Sequence, residues 1–544
     1  MYLSLIVVGN PRMVTSKSSL FRPTTCSVCK TYLILCFRLL IKVLCSIFTF
    51  PSHNLDVNQS LFVVSITHWV YKWRNLKCNG TLPPGSMGWP LLGETLQFIA
   101  PSHTLDTSAF IKKRIKRYGS IFRTSLFGSR VIVSTDSELS YMVFQQEGRS
   151  FESWYPPRFR KVLGNQSLAF MHGSLRKYLK NMVLTVIGPQ SLKNIFSEVE
   201  TVATGNMERW VSQETTELKT AVADMIYEFM GKKMISYDPA EKPSENLREN
   251  YEAFVRGLYS FPLEIPGTAY YKCLQPIEKR DLVMVKVLVP WTLKENLSWR
   301  SPNLALEGWS EMPKSKGRKK VMMMLKNMLQ ARQAKPNEVQ NDFFDYVIEE
   351  LKKNDTTLTE EISLDLIFGL LFANHESTSQ AITLAIKFLT DNPRALKELA
   401  EEHELILKKR EKPEAGLTWE EYKSMTFTFQ VFTDYTIPSG WVVMVCSPAV
   451  HLDPVNYKDP LKFNPWRWEG MELKGSSKTF MVFGGAQRYC VGADLARLQM
   501  AIFLHCLVTK YWWQPIKGGD IVRTPALQFP NGFHVQFFEK DKQQ

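Results

Sequence analysis

The sequence is poor in the features that mark secreted, zinc-stabilised or nucleic-acid-binding proteins. Its nine cysteines have no repeated spacing, and five of them fall before residue 80. That pattern excludes a disulfide framework and places the globular part in a reducing compartment. Cys26-x-x-Cys29 has no second pair and no His-x-x-x-His downstream, which argues against zinc. Acid is nearly absent from the start: residues 1–80 hold nine Lys and Arg but only Asp56, a local +8 within a net charge of +14. With no nucleic-acid-binding motif elsewhere, this basic, apolar-bordered start suits a membrane surface, and no nucleic-acid partner is expected. A clean spanning run is also lacking. Thr31–Phe50 is long enough but carries Arg38 and Lys42, whose insertion costs about 5–7 kcal/mol against about 4–8 returned by its apolar residues. Leu61–Tyr71 is clean but short of the roughly 20 residues a span needs, and Lys72-Trp73-Arg74 borders it as an anchor's cytosolic edge would.

What is present reads as a large, mainly α domain with small β-sheets. Pro83-Pro84-Gly85-Ser86-Met87-Gly88-Trp89-Pro90 is a stiff linker. Tyr118–Thr135 reads as a hairpin about Gly128-Ser129. From Leu175 to Leu258 the period is helical, broken at Gly188-Pro189 and Asp238-Pro239. Residues 276–315 differ: Pro276, Pro290, Pro302 and Pro313 interrupt any helix, and the helical period resumes only at Lys319–Gln333, so this stretch reads as an insertion.

Thr359 followed by Glu360 and Glu361 makes a helix start, and the pattern runs without proline to Asp391. Leu366–Ala373 is apolar on all sides, the mark of a buried central helix. Inside it sits Asn374-His375-Glu376-Ser377-Thr378, a polar group costly to bury without partners or work. The alternative to work is local bonding, with the hydroxyls turned back to the preceding turn and His375 as packing.

The second polar feature is Phe483-Gly484-Gly485-Ala486-Gln487-Arg488-Tyr489-Cys490-Val491-Gly492, which puts one cysteine immediately before the helix-forming run Ala493–Lys510. A thiolate there is favoured by the helix dipole and by free N–H groups, a metal ligand's position. The glycines would allow a flat ligand close to the backbone, Arg488 could meet a carboxylate on it, and Phe483 could shield the sulfur. A structural cysteine before a helix is the competing reading.

This loop resembles the haem-thiolate loop, Phe-x-x-Gly-x-Arg-x-Cys-x-Gly, of the cytochrome P-450 monooxygenases. Phe483, Arg488, Cys490 and Gly492 meet the pattern. Ala486 stands in for a glycine and puts a Cβ into a turn expected to need φ > 0, a strain of about 1 kcal/mol. Ala373–Thr378 resembles the same family's oxygen-activating segment, with Asn374 for a glycine and Ser377 for a threonine. The resemblance implies haem b between the central helix and the cysteine loop, with Cys490 as iron ligand and Phe483, Arg488 and Gly492 about the cofactor. It implies Glu376, Ser377 and Thr378 as the proton-delivering catalytic group. The family's Trp-x-x-x-Arg is absent, which leaves Lys180, on a helix that also carries Arg176 and Lys177, either as a propionate partner or as part of a solvated basic face. Electrons would come from NADPH through the flavoprotein cytochrome P-450 reductase.

The domain reading that follows is a leader over 1–59 with a candidate membrane segment at 31–50, an anchor remnant and basic border over 60–80, and a catalytic domain over 81–544. The expected location is the endoplasmic reticulum membrane with the domain facing the cytosol; an organelle transit peptide is the rival. Trp69–Arg74, Thr418–Tyr422 and Leu504–Lys510 are most similar to plant members acting on triterpenoids and steroids, so a rigid apolar small molecule is the expected substrate. One family element is missing: no Glu-x-x-Arg helix lies between Gln430 and Thr433, so Arg467, in Phe463-Asn464-Pro465-Trp466-Arg467-Trp468, is expected to be a buried arginine without its acid, at about 3–5 kcal/mol. Two alternatives to a monooxygenase follow: a non-functional product of exon-boundary error or gene decay, and a haem-thiolate isomerase or dehydratase.

Overall fold

A computed structural model describes residues 4–8, 57–75, 82–90, 93–148, 150–155, 163–237, 317–335, 337–408, 442–468, 478–524 and 526–540, with 247, 250, 251, 254 and 255. The candidate segment 31–50, the insertion 276–315, the break at Asp238-Pro239, the Thr418–Tyr422 motif and the gap at 430–433 lie outside these residues. The main helices are, in chain order, α1 (Val57–Arg74), α2 (Ala109–Tyr118), α3 (Ser137–Gln145), α4 (Gly173–Ile187), α5 (Phe196–Val211), α6 (Leu218–Ile235), α7 (Gly317–Gln333), α8 (Glu360–Asp391), α9 (Pro393–Lys408) and α10 (Ala493–Lys510).

The 32-residue α8 is the axis of the helical body. It starts where the sequence places it, with the Thr359 hydroxyl accepting from the Ile362 N–H at 3.2 Å, and stops before Pro393, which cannot continue a helix. Most of its side chains are buried against α6, α7 and α10, so it reads as apolar all round rather than as one stripe. Tyr251 and Phe254 close on Phe368 and Phe372 from outside the helix, with ring centroids 4.9–5.1 Å apart; the Tyr251 hydroxyl donates to the Phe368 carbonyl at 3.1 Å. Asp365 is anchored from two sides: the Arg318 guanidinium of α7 pairs with it, and the Gln166 N–H donates to it at 3.1 Å. α4 breaks at Gly188, as Gly188-Pro189 requires.

A five-stranded sheet packs beside this body in the order β2-β3-β6-β1-β4, formed by β1 (Ser4–Val8), β2 (Ile121–Leu126), β3 (Ser129–Ser134), β4 (Phe151–Ser153) and, after the two-residue β5 (Thr216–Glu217) of another sheet, β6 (Val442–Val445). β2 and β3 make the expected hairpin, but its two-residue loop is Phe127-Gly128, one position earlier than Gly128-Ser129. Both loop residues have positive φ (52° and 77°), as the turn that matches strand twist demands. β3 and β6 bury both faces: Ile132, Val443 and Val445 on one, Val131, Val133, Val442 and Met444 on the other. β1 comes from within the stretch read as an unspecified leader.

The second sheet has the order β5-β10-β7, with β7 (Tyr511–Gly518) and β10 (Phe533–Glu539); between these two strands runs the small pair β8 (Val522–Thr524) and β9 (Ala526–Gln528). Asn531-Gly532-Phe533 therefore delivers β10 to β7 and not to its sequence neighbour β9.

α1 begins at Val57, so the 59/60 boundary falls inside a helix. It leaves Val64, Ile66, Trp69 and Tyr71 exposed. No helix among the described residues is long and apolar enough to cross a membrane.

Arg467 departs from expectation. It is partly exposed, and its guanidinium donates to the carbonyls of Asn464, Lys458, Asp459 and Lys462 at 2.8–3.0 Å. Among the described residues four carbonyl oxygens satisfy it, so it is not the stranded buried charge that the missing helix implied.

Candidate active site

Cys490 stands at the head of α10 in a loop held by its own backbone. Its N–H donates to the Phe483 carbonyl at 2.9 Å, and its carbonyl accepts from Ala493 at 3.3 Å, stapling the loop to the first helical turn. Ala486 takes φ +44°, the left-handed conformation that a glycine would hold without strain. The Cys490 side chain is open to solvent, yet protein crowds it elsewhere. That crowding pushes the thiol up, outweighing the Gly492 N–H, Arg497 and Lys180, which pull it down. The helix dipole alone therefore does not make Cys490 an anion; a bound cation that displaces the proton would. Of the three glycines expected to admit a flat ligand, Gly492 does so: a Cβ there would meet nothing within 4 Å. Gly485 instead makes room for Phe144 of α3, whose ring a Cβ would approach at 3.1 Å, and Gly484 passes the Arg488 carbonyl at φ +76°.

A cluster of cations surrounds this loop. Arg488 is ion-paired with Glu147 and donates to the Ala169 and Met171 carbonyls at 3.3 Å and to Nδ1 of His172 at 3.2 Å. Burial and the Arg488 charge hold His172 below its ordinary range, consistent with a neutral ring accepting that bond. Arg176 on α4 donates to the Gln487 carbonyl at 3.4 Å and the Leu168 carbonyl at 3.1 Å; burial, then the like charge of Arg488, lowers its pKa to about 10. Lys180, one turn further along, is lowered by burial and by Arg176 and raised by Cys490. Arg497, two turns into α10, lies over the Phe483 ring at 4.7 Å and donates to the Tyr489 hydroxyl at 3.0 Å and Asp494 at 2.8 Å. Four cations thus face two acids, Glu147 and Asp494. The sequence singled out Arg488 and Lys180. Arg176 was legible only as part of a basic face, and its signal is the four-residue spacing to Lys180. Glu147 carries no local signal at all.

The polar segment of α8 separates into an inner and an outer side. Ala373 and Ser377, four residues apart, are exposed on an otherwise buried helix, and Gly369 one turn earlier is half-buried, so this face carries only small side chains. Glu376 and Thr378 are buried. Glu376 pairs with Lys219 of α6 at 3.5 Å. The Ser377 hydroxyl donates back to the Ala373 carbonyl at 2.7 Å, and Ser379 does the same to His375 at 2.6 Å. His375 packs edge-on to Tyr227, centroids 5.7 Å apart, as a packing residue should.

These residues fit a haem. An exposed sulfur at a helix head is a soft axial donor, an open Gly492 admits a flat ring, and a net-positive, mutually repelling cluster of Arg176, Lys180 and Arg488 suits carboxylates on the ring's edge. A mostly helical body with a cysteine loop of this kind defines a haem-thiolate protein. The sequence profile described as cytochrome P450 matches residues 83–263, 309–433 and 430–535, and the chain belongs to that family as a haem-thiolate monooxygenase. It is 46% identical over 498 residues to cytochrome P450 87A3 of Oryza sativa subsp. japonica, covering 87% of this chain and 89% of that one. It is 36% identical over 512 residues to a beta-amyrin 16-alpha-hydroxylase of Maesa lanceolata (89% and 99% covered) and 35% identical over 507 residues to a cucurbitadienol 11-hydroxylase of Siraitia grosvenorii (89% and 98%). The fold matches that of a retinoic-acid-bound cyanobacterial member, CYP120A1, with a TM-score of 0.65 and 22% identity over 84% of this chain and 99% of that one. As a member of the family, the chain takes haem, electrons from a redox partner and a hydrophobic substrate.

Proposed function

We propose that this chain hydroxylates a rigid, apolar, multi-ring substrate of the triterpenoid or steroid class, with electrons passed from NADPH by a flavoprotein reductase. Its proposed place is the endoplasmic reticulum membrane, the catalytic body facing the cytosol. The observation that carries the reading is Cys490, solvent-open at the head of α10 within a ring of cations. Relatives whose names specify beta-amyrin and cucurbitadienol hydroxylation support the substrate class, and the exposed apolar side chains of α1, Val64, Ile66, Trp69 and Tyr71, support the membrane.

Cys490 would hold haem b, which when bound would supply the activation of dioxygen for insertion of one oxygen atom into a C–H bond. Arg176, Lys180 and Arg488 would hold its propionates, with Arg488 itself fixed by Glu147. Phe483, whose ring lies under Arg497, would shield the sulfur. Ser377, exposed on α8, would pass a proton after turning away from the Ala373 carbonyl. Glu376 would recharge it through solvent by rotating from Lys219, while buried Thr378 shapes the turn. The small side chains of Gly369, Ala373 and Ser377 leave that face flat, which suits a fused-ring substrate.

The test is the reduced, carbon-monoxide-bound spectrum of the expressed chain and of Cys490→Ser. A red-shifted thiolate band in the parent and its loss in the variant are expected; a band that survives the substitution would remove Cys490 as ligand. No band in the parent would favour the non-functional reading, for which the family match supplies a reason: it leaves 264–308 unmatched and breaks at 430–433. Product formed without reductase would favour the isomerase.

A further inference from the structure

The chain enters the cysteine loop through Thr479-Phe480-Met481, and two side chains from one neighbouring segment hold this entrance by its backbone. β6 passes through Cys446 into the short helix Ser447–His451. Nε2 of His451 accepts from the Met481 N–H at 3.2 Å, and the Tyr457 hydroxyl donates to the Thr479 carbonyl at 2.9 Å. Rings close the gap between these two bonds: the His451 and Phe480 centroids lie 6.1 Å apart, and Trp468, 5.6 Å from Tyr457, meets Phe480 at 6.3 Å. The Met481 side chain is buried with Val443, Val445 and Val450. The entrance is therefore keyed to the five-stranded sheet.

From Met481 the hold passes to the sulfur through backbone alone. The Met481 carbonyl accepts from the Gly484 N–H at 3.0 Å, closing a turn in which Gly484 takes φ +76°, and Phe483 inside that turn accepts from the Cys490 N–H at 2.9 Å. One side-chain bond and two backbone bonds thus connect the end of β6 to the ligand's own peptide. Met481 is buried, so a residue at 451 that cannot accept would strand its N–H away from water. Burial also lowers the pKa of His451 to about 4 from an ordinary 6.5, which keeps the ring neutral, with an acceptor nitrogen, near neutral pH.

We infer that His451 is a positioning residue for the axial sulfur: it fixes Met481 and, through Phe483, the place of Cys490. The consequence for the ligand rests on the haem-thiolate function proposed above, whereas the clamp on the loop does not. Crowding pushes the Cys490 thiol up, and the Gly492 N–H, Arg497 and Lys180 pull it down. The anion therefore depends on the sulfur staying where those groups reach it. A loop whose entrance drifts would carry the sulfur away from the Gly492 N–H and favour the protonated, neutral ligand.

The test compares the full chain with His451→Phe, which keeps a ring against Phe480 and loses the acceptor, and with His451→Gln, which offers an amide oxygen at a similar reach. In the reduced, carbon-monoxide-bound spectrum His451→Phe should convert about half or more of the thiolate band to the blue-shifted thiol band per bound haem, while His451→Gln keeps most of it. A side chain that served stability alone would lower the thermal midpoint and leave the ratio of the two bands as in the parent, and that result overturns the inference. Amide exchange reads the clamp without haem: Met481, Gly484 and Cys490 should exchange about tenfold or more faster in His451→Phe than in the parent or His451→Gln. Exchange indifferent to the substitution also overturns the inference. A parent without any thiolate band defeats the haem-thiolate function instead, and exchange at Cys490 then decides the role of His451 by itself. Should His451→Phe not fold, His451→Asn, whose amide is too short to reach Met481, is judged by the same two measurements.

Discussion

Replacing Arg467 with methionine should destabilise the chain by about 2–4 kcal/mol, although counting family carboxylates predicts little cost. The reason lies in four bonds. The guanidinium gathers the carbonyls of Lys458, Asp459, Lys462 and Asn464 at 2.8–3.0 Å, holding a loop in which Asp459 has a positive φ of 48°. A buried hydrogen bond from a charged donor is worth about 1.5–3 kcal/mol, but Arg467 is partly exposed and water competes, so about 0.5–1 kcal/mol for each bond is the fitting figure. The loop also carries Trp466, whose indole donates to Glu398 of α9, and Phe463, stacked on Phe388 at 5.3 Å. Loosening it should therefore register in tryptophan fluorescence. Urea unfolding followed at that signal gives the measurement, with Arg467→Lys as a control that keeps the charge and loses the planar fork. Lysine should recover only part of the loss. A methionine variant within about 0.5 kcal/mol of the parent, at an unchanged urea dependence, would refute the carbonyl clamp.

Three further outcomes follow from buried geometry. His403 meets His505 at 3.0 Å between Nδ1 atoms, and burial pushes its pKa down to about 4 from an ordinary 6.5. The lowered folded value means its contribution is present above about pH 6.5 and disappears as pH falls toward 4, a loss of about 2 kcal/mol by pH 5 that should shrink in His403→Gln when urea unfolding is compared at pH 7.5 and 5. Gly164→Ala should cost about 2 kcal/mol or more, because φ is +94° and the new methyl would land on Arg318 and Asp365; a thermal midpoint unchanged from the parent would contradict it. Ala486→Gly should raise stability by about 0.5–1 kcal/mol by relieving the φ of +44° in the cysteine loop, and a lower midpoint would show that the methyl's packing outweighs the strain.

The central helix and the cysteine loop were legible because their signals are local. Thr359, the apolar run and Pro393 bound one helix end to end, and the positive φ that Ala486 adopts could be anticipated from the turn it occupies. Arg467 was misjudged because its satisfaction comes from backbone carbonyls, which have no letter in the sequence. Glu147 escaped for a related reason: it lies 341 positions from Arg488, and nothing in its own surroundings marks it as a partner. β1 was missed because four aliphatic residues in a basic leader carry no pattern of their own, and only the register with β6 and β4 reveals a strand. The hydroxyls of α8 show the opposite limit. Their spacing was clear, but whether Ser377 bonds Ala373 or something outside the helix is a rotamer choice the sequence does not encode.

The 18-residue α10 is clamped at its far end, where Lys510 runs straight into β7 and its carbonyl accepts from Lys540 just past β10 at 2.8 Å. A helix of that length is a rod of about 27 Å with Cys490 at its tip. Rods convert small rotations at a pivot into large displacements at the end, so a tilt of about 2° at the β7–β10 sheet would move the sulfur by about 1 Å, enough to matter where catalytic geometry is held to fractions of an ångström. Side chains packed at that pivot, Trp210 against Phe537 and Trp512 stacked on Phe538 at 4.1 Å, thus act as the alignment screws of a ligand they never touch, and substitutions there should be sought among variants that fold normally yet hold the iron badly.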